Sequence, residues 1–232
     1  MDYAIIAAGE GSRLAQEGIG YPKPLVPLNG VPLIERLIRI FARHNARSIS
    51  IIINSRQSET QRLLTALAAQ FPLNIVVKDT PSSMHSMHAL APYLRRGRFC
   101  LTTVDTIFGE EQFGAYIKAF EKSTSDGLMA VTDFIDDEKP LYVSTTPALR
   151  ITGFHDTPPK EVQYISGGIY ALTPASLDTL EKCIAAGESR MRNFQRRLVA
   201  EGFKLEAYPF GKIIDIDHAE DIKKAEEFIG SL

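Results

Sequence analysis

The fold class of this chain follows from its first residues, which read Tyr3-Ala4-Ile5-Ile6-Ala7-Ala8-Gly9-Glu10-Gly11-Ser12-Arg13-Leu14. The first half is a nearly continuous apolar run, which is typical of a strand buried on both faces of a parallel sheet. Glycine ends the run, so a loop begins where the strand ends. Ligands of open α/β sheets bind at this edge, where glycines let backbone N–H groups approach phosphate oxygens. The stretch therefore predicts a strand followed by a phosphate-binding loop.

Two cations accompany the loop: Arg13 within it, and Lys23 in the later run Pro22-Lys23-Pro24-Leu25. Arginine offers a planar fork to phosphate oxygens, and lysine offers a compact charge that can follow a phosphoryl oxygen as negative charge develops. The spacing matches neither a P-loop nor a dinucleotide-binding motif. Gly9-Glu10-Gly11 alone is equally consistent with a tight turn. The combination with the cations favours nucleotide chemistry.

Residues 7–14 and 22–25 together resemble the N-terminal signature of the nucleotidyltransferase superfamily, which includes the sugar-1-phosphate, phosphocholine and molybdopterin nucleotidyltransferases. That signature runs approximately A-[AG]-G-x-G-[ST]-R-[LM], then P-K-P-[LM], and the run Gly30-Val31-Pro32-Leu33-Ile34-Glu35 is similar to the family's next helix start. The resemblance implies an α/β fold, Rossmann-like and three-layered (α/β/α), with a mixed, mostly parallel central sheet. It also implies transfer of a nucleoside monophosphate from a nucleoside triphosphate to a phosphorylated small-molecule acceptor, most simply a sugar 1-phosphate.

Strand-like and helix-like segments alternate along the chain, as in a parallel sheet covered by helices on both faces. We expect one domain, residues 1–232. The patterns predict strands at 3–8, 48–53, 73–78, 99–104, 128–134, 141–145, 149–154, 163–172, 204–209 and 212–216. They predict helices at about 32–44, with Pro32 in the first turn, and at about 60–70, 110–122, 174–186, 190–201 and 218–229.

The resemblance also implies roles for single residues. Arg13 and Lys23 carry the catalysis: Arg13 orients the leaving pyrophosphate, and Lys23 bridges the α-phosphate and the acceptor phosphate. The nucleotide is expected to contact Ala7, Ala8, Gly9, Gly11, Ser12 and Ser83.

Two aspartates are the expected Mg²⁺ ligands. Asp105 follows a buried strand and so lies at the same sheet edge as the glycine loop, where a carboxylate can hold a hard cation against phosphate oxygens. The plain alternative is a turn or helix-capping aspartate. By resemblance, Asp215 in Ile213-Ile214-Asp215-Ile216-Asp217 is the second ligand. Asp217 is expected to cap the last helix or brace its loop.

The sequence does not identify the nucleobase of the triphosphate or the acceptor molecule. The segment around Ser83 resembles the cytidylyltransferases of the phosphocholine type, whereas Gly167-Gly168-Ile169-Tyr170 resembles the sugar enzymes. Lys160 is either a cation for the acceptor phosphate or a solvated loop residue. His85 and His88 are interpreted as ordinary packing residues. The basic residues Arg190, Arg192, Arg196 and Arg197 form either a solvated helix face, which we favour, or a clamp for an anionic acceptor or a subunit contact.

Composition narrows the class. Of the 232 residues, 26 are Lys or Arg and 28 are Asp or Glu, a balance that argues against a nucleic-acid-binding surface. No apolar stretch approaches the length of a membrane span, no signal peptide is evident, and the two cysteines suggest no disulfide framework, so we expect a cytoplasmic protein. The sequence leaves open whether the protein forms a homodimer. The alternatives to a sugar-1-phosphate nucleotidyltransferase are a CTP:phosphocholine-type cytidylyltransferase and a catalytically inactive nucleotide-binding regulatory protein.

Overall fold

The computed structural model describes residues 1–134, 139–160 and 162–232. In the first half of the chain, strands alternate with helices from the N-terminus onward. The elements are β1 (Asp2–Ile6), α1 (Ser12–Gln16), a 3₁₀ turn (Lys23–Leu25), β2 (Pro27–Leu28), β3 (Val31–Pro32), α2 (Leu33–Arg43), β4 (Ser48–Ile53), α3 (Ser58–Leu67), β5 (Leu73–Val77), α4 (Ser83–Leu94), β6 (Phe99–Thr103), β7 (Thr106–Ile107), α5 (Glu110–Lys122) and β8 (Gly127–Thr132).

The second half is richer in strands and ends in a helix. Its elements are β9 (Tyr142–Thr145), β10 (Ile151–His155), β11 (Tyr164–Leu172), α6 (Ser176–Ala185), α7 (Met191–Ala200), β12 (Leu205–Pro209), β13 (Ile214–Asp215) and α8 (Ala219–Gly230). No helix in the described ranges combines the length and the apolar character that crossing a bilayer requires.

Within the described ranges, nine strands form one sheet. Seven of them follow the order β10-β9-β11-β6-β1-β4-β5, and β8 and β12 extend the sheet beside β11. The N-terminal strands β6, β1, β4 and β5 run parallel to one another, whereas β11 joins β6 antiparallel. β12 pairs with β8 in parallel. The predicted mixed, mostly parallel central sheet is therefore confirmed.

The alternation along β1 shows how the sheet separates two cores. Tyr3 and Ile5 pack with the apolar faces of α2, α3, α5 and α8 on one side. Ala4 and Ile6 pack with α4, α6 and α7 on the other side. Because successive side chains of a strand point to opposite faces, the four apolar residues that follow Asp2 in β1 fill both cores. The three-layer α/β/α prediction is confirmed by this arrangement.

Several boundaries differ from the prediction by one to three residues, and two of the differences have a local physical reason. The helix expected from Pro32 begins at Leu33, because Pro32 has extended backbone (φ −56°, ψ 141°) and pairs with Pro27 in a hairpin. The strand expected at 212–216 is only Ile214–Asp215, and it pairs with β7 rather than with the main sheet. A pairing of two residues leaves no periodic pattern for sequence reasoning to detect.

Candidate active site

Parallel pairing brings the ends of three strands to one edge of the sheet. Ile6, at the end of β1, lies opposite Ile52 of β4 and Thr103 of β6. Val104 N donates a hydrogen bond to Ile6 O at 3.0 Å, and Ala7 N donates to Ile52 O at 2.9 Å, so the pairing continues into the loops. The glycine loop and the residues after β6 therefore lie side by side, as the sequence predicts.

The two glycines of the loop serve different purposes. Gly11 has φ +62°, and a Cβ placed on it would lie 2.9 Å from Lys23 Cβ, so close contact with Lys23 requires glycine there. A Cβ on Gly9 would meet no protein atom within 4 Å. The loop is held from β4, because Asn54 Nδ2 donates to Ala8 O at 2.9 Å and Gln57 Nε2 donates to Gly9 O at 3.1 Å. Gly9 therefore opens onto free space, whereas Gly11 packs.

Lys23 is the centre of a charge cluster at this edge. The 3₁₀ turn directs its ammonium between two carboxylates: Asp105, and Asp217 at 2.8 Å. Burial disfavours the ammonium cation, but the two carboxylates outweigh it and raise the pKa of Lys23 above its usual range. Arg13 Nη1 contacts the other oxygen of Asp217 at 2.9 Å. The structure thus brings together Arg13, Lys23 and Asp105.

Asp215 reaches the same edge through the short pairing of β13 with β7. It lies opposite Thr106, and Ile216 N donates to Asp105 O at 3.1 Å, so the two predicted metal ligands are held on adjacent segments. Partial loss of hydration beside the surrounding protein raises the pKa of Asp215 to about 8, and the negative charge of Asp105 adds to this effect. Part of the Asp215 side chain remains exposed to solvent. A cation bound beside Asp105 and Asp215 would offset the repulsion between their negative charges.

The donor set fits one divalent cation only in part. Asp105 Oδ1 is buried and has no hydrogen-bond partner among the described residues, so an acceptor oxygen is left for a further ligand. The described ranges contain no cluster of three or more His, Cys, Asp or Glu side chains suited to a metal. A hard cation such as Mg²⁺ normally completes its shell with water and phosphate oxygens, so two carboxylates are compatible with it.

A cavity of about 680 Å³ lies on one side of the charge cluster. It runs from the glycine loop past Lys23 and Asp105 to the start of α4. Of the residues predicted to contact the nucleotide, it is lined by Ala7, Ala8, Gly9, Gly11 and Ser83. Ser12 lies at the start of α1 and lines neither this cavity nor a second cavity on the other side of the charge cluster.

The start of α4 is organised by Ser82. Ser82 Oγ accepts a long hydrogen bond from His85 N at 3.5 Å and lies 2.8 Å from His85 Nδ1. Thr80 Oγ1 and Ser86 Oγ lie 2.6 Å apart nearby. His85 thus makes local polar contacts at the start of the helix.

A second cavity, of about 520 Å³, lies on the other side of the cluster. Arg13, Asp215 and Asp217 line it at the cluster, and Arg190, Arg192 and Lys139 bring positive charge to it. Phe134 also lines this cavity, and Lys212 Nζ lies 4.6 Å from the centre of its ring. The two cavities therefore adjoin the same group of charges, with Lys23 on the wall of the first and its partner Asp217 on the wall of the second.

The basic residues of α7 separate in the structure. Arg192 and Arg196 both pair with Asp156, and Arg197 pairs with Glu188 and Glu201. Arg190 and Arg192 face the second cavity, so the cluster is not merely a solvated helix face. Lys160 lines neither cavity.

Asp217 contributes to the site in a way that its sequence context did not predict. Instead of capping the last helix, its carboxylate holds both Lys23 and Arg13, which outweigh the effect of burial and keep its pKa below the usual value. The residue that caps α8 is His218, and Asp221 accepts a hydrogen bond from His218 N at 2.8 Å. The only sequence signal for Asp217 was its spacing of two from Asp215, which places both near one short strand.

The fold and this edge define an α/β protein with an arrangement suited to phosphorylated ligands: a glycine loop, two cations and two carboxylates at the ends of parallel strands. Over residues 3–200 the chain matches the MobA-like NTP transferase domain, and it belongs to that family.

Two curated relatives are similar over part of their length. The 2-aminoethylphosphonate cytidylyltransferase of Lancefieldella rimae is 26% identical over 111 residues, which cover 46% of this chain and 44% of that protein. The mannose-1-phosphate guanyltransferase of Schizosaccharomyces pombe is 28% identical over 190 residues, covering 78% of this chain and 52% of that protein. The chain thus spans about half the length of these relatives.

A solved structure has the same fold. The inositol-1-phosphate CTP transferase from T. maritima superposes with a TM-score of 0.83 at 18% identity, over 99% of this chain and 94% of that one. At this identity the likeness establishes the architecture, which agrees with the sheet order and the two cores described above.

Proposed function

We propose that this protein transfers a nucleoside monophosphate from a nucleoside triphosphate to the phosphate of a small acceptor, most simply a sugar 1-phosphate, with release of pyrophosphate and with Mg²⁺ as cofactor. The observation that carries the proposal is the position of Lys23, whose ammonium contacts carboxylates on the walls of both cavities. Transfer between two phosphorylated molecules needs a cation at the point where they meet.

The first cavity suits the triphosphate. Gly9 leaves space at the backbone, and the loop is braced from β4, so the N–H groups can approach phosphate oxygens without reorganisation. Ala7, Ala8 and Gly11 belong to the same wall, and Ser83 lies at the start of α4, on the wall that continues away from the loop. Ser12 would contribute through its position directly after Gly11.

The reaction is an in-line displacement. An oxygen of the acceptor phosphate attacks the α-phosphorus, and the bond from that phosphorus to the bridging oxygen of the β-phosphate breaks, so that pyrophosphate leaves with the electron pair. Because such chemistry depends on positioning and charge neutralisation, it requires no covalent intermediate with the protein. Lys23 would hold the α-phosphate and the acceptor phosphate together, and Arg13 would orient the pyrophosphate.

Asp217 sets the resting positions of both cations. Its carboxylate bonds Lys23 at 2.8 Å and Arg13 at 2.9 Å, so their charges are directed to one place. Phosphate oxygens would replace this carboxylate as their partner. Such preorganisation reduces the rearrangement that binding requires.

Asp105 and Asp215 are the residues that would hold Mg²⁺. When bound, the cation neutralises charge on the phosphate oxygens. The unpartnered Asp105 Oδ1 and the raised pKa of Asp215 support this assignment.

The two alternatives are less well supported. A quaternary ammonium is best recognised by an aromatic cage, yet Phe134 is the aromatic residue on the described wall of the second cavity, and Lys212 already lies on its ring. An inactive regulatory protein would have no need for Arg13, Lys23, Asp105 and Asp215 to converge. Small phosphonates deserve testing beside sugar phosphates, because the relative from L. rimae is a 2-aminoethylphosphonate cytidylyltransferase.

The test is pyrophosphate release in the presence of Mg²⁺. ATP, CTP, GTP, UTP and dTTP are each combined with a panel of sugar 1-phosphates, inositol 1-phosphate, 2-aminoethylphosphonate and phosphocholine. CTP is the first choice, because one relative and one structural neighbour are CTP enzymes by name. Release that requires both a triphosphate and one acceptor supports the proposal. Triphosphate binding without release across the panel contradicts it.

A further inference from the structure

Arg190 is the N-cap residue immediately before α7, and it differs from the three arginines within that helix. Its backbone has φ +70° and ψ 137°, a conformation that residues with a side chain rarely adopt. Arg192, Arg196 and Arg197 each pair with a carboxylate, whereas the guanidinium of Arg190 has no hydrogen bond or ion pair with any residue in the described ranges. A strained backbone that presents an unpaired cation calls for an explanation other than stability.

The location of Arg190 supplies one. Its side chain lines the second cavity, and its backbone N–H lies 3.5 Å from Ser82 Oγ, whose residue lines the first cavity. Arg190 therefore contributes its side chain to the wall of the second cavity, while its backbone contacts a residue of the first cavity's wall. A cation in this position is available to an anionic group bound in the second cavity.

From these observations we infer that Arg190 binds the phosphate group of the acceptor, and that it sets the specificity of the second cavity for a phosphoryl or phosphonyl anion. This inference rests on the proposed function. A guanidinium matches two oxygens of a phosphate in one plane, which a lysine cannot do. Arg192 supports the same wall but is committed to Asp156 and to Lys139 O. Among the described residues that line the second cavity, Arg190 is the arginine whose guanidinium is available to bind a ligand.

The test compares Arg190→Ala, Arg190→Lys and Arg190→Gly with the control Arg196→Ala. Arg196 lies within α7, the helix that Arg190 precedes. It lines neither cavity, and it bonds Phe154 O at 3.2 Å and Asp156 at 2.7 Å. Steady-state kinetics with the best nucleotide and acceptor give separate KM values. We expect Arg190→Ala to raise the acceptor KM by about 10-fold to 100-fold, as loss of a charge-assisted contact does, and to change the triphosphate KM less than about twofold. Arg190→Lys should recover part of the loss, and Arg196→Ala should behave as wild type.

Arg190→Gly separates binding from structure. Glycine adopts φ +70° without strain, so we expect this variant to unfold about 2–4 °C higher than wild type while its acceptor KM rises as in Arg190→Ala. A purely structural role predicts the reverse order of stability. The inference is overturned if Arg190→Ala resembles Arg196→Ala, if the triphosphate KM rises as much as the acceptor KM, or if Arg190→Gly keeps the wild-type acceptor KM.

A binding measurement distinguishes failure of this inference from failure of the proposed function. Inorganic phosphate is titrated calorimetrically into the protein saturated with α,β-methylene-CTP, a triphosphate analogue that occupies the first cavity and resists transfer. Phosphate binding that Arg190→Ala abolishes supports the inference, even if no acceptor in the panel is turned over and the proposed function fails. Phosphate binding that is equal in Arg190→Ala and wild type overturns the inference, even if wild type is an active transferase.

Discussion

Replacing Gly11 by alanine should damage this protein in two measurable ways. Gly11 has φ +62°, where a side chain costs about 1–2 kcal/mol. The new Cβ would also lie 2.9 Å from Lys23 Cβ, a contact that forces backbone or side chain to shift, and such overpacking costs about 1–3 kcal/mol. Together these give a loss of roughly 2–5 kcal/mol. For a chain of this size the midpoint of thermal unfolding should fall by about 4–20 °C.

The matched control is Gly9→Ala, in the same loop. A Cβ on Gly9 meets no protein atom within 4 Å, and its φ lies outside the left-handed region, so the unfolding midpoint should stay within about 1 °C of wild type. The methyl group would instead enter the first cavity, whose wall includes Gly9. We therefore expect Gly9→Ala to weaken triphosphate binding without loss of stability, and Gly11→Ala to weaken both.

Differential scanning calorimetry measures the unfolding midpoints, and isothermal titration with a triphosphate measures binding. The steric argument for Gly11 is refuted if Gly11→Ala is as stable as wild type. The assignment of the first cavity to the triphosphate is refuted if Gly9→Ala binds it as tightly as wild type does.

Three further predictions concern single charges. Lys23→Ala should lower turnover more than about tenfold, or ~1.4 kcal/mol of barrier, and full activity in the pyrophosphate assay would exclude a role for Lys23. Because the pKa of Asp215 is raised to about 8, the metal-free folded protein holds a proton that the unfolded chain has lost between about pH 4 and pH 8, so its stability should fall as the pH rises through that range. Asp215→Asn should remove this pH dependence of stability. In thermal unfolding at about pH 8.5 it should also remove the stabilisation by Mg²⁺, and an unchanged Mg²⁺ effect would argue against a role of Asp215 as a ligand. Asp2 is 1% exposed, and Arg47 and Ser48 outweigh its burial and lower its pKa, so its contribution is present above about pH 4 and is lost as the pH falls further. Asp2→Asn should cost about 1.5–3 kcal/mol in urea unfolding near neutral pH, as loss of hydrogen bonds to a charged group does, and less in acid. An equal cost at both pH values would contradict the ion-pair account.

Several features of the fold could be predicted from the sequence. The apolar run of β1 fills two cores because it is buried on both faces, and this burial requires the continuous apolar pattern that identified the strand. The hairpin of β2 and β3 carries an equally local signal that was overlooked. Its turn is Asn29-Gly30, and both residues have positive φ, as the favoured two-residue hairpin turns require.

Only some of the site residues could be predicted from the sequence. Arg13, Lys23 and Asp105 are near a glycine loop or a strand end, so their convergence follows from strand order at one sheet edge. Asp217 was expected to cap the last helix or to brace its loop, because an aspartate just before a helix usually has such a local role. Its contacts with Lys23 and Arg13 span 194 and 204 residues of sequence, and no local pattern encodes such a separation.

The sequence by itself determined the architecture, the phosphate-type loop and the cations beside it, because burial, glycine and charge act over a few neighbouring residues. Only the tertiary structure decided which charges meet. It paired Lys23 with Asp105 and Asp217, committed three arginines of α7 to carboxylates and left Arg190 facing the second cavity. The reason is physical: the energy of an ion pair depends on the distance and the desolvation of two groups, and both are set by how distant segments pack.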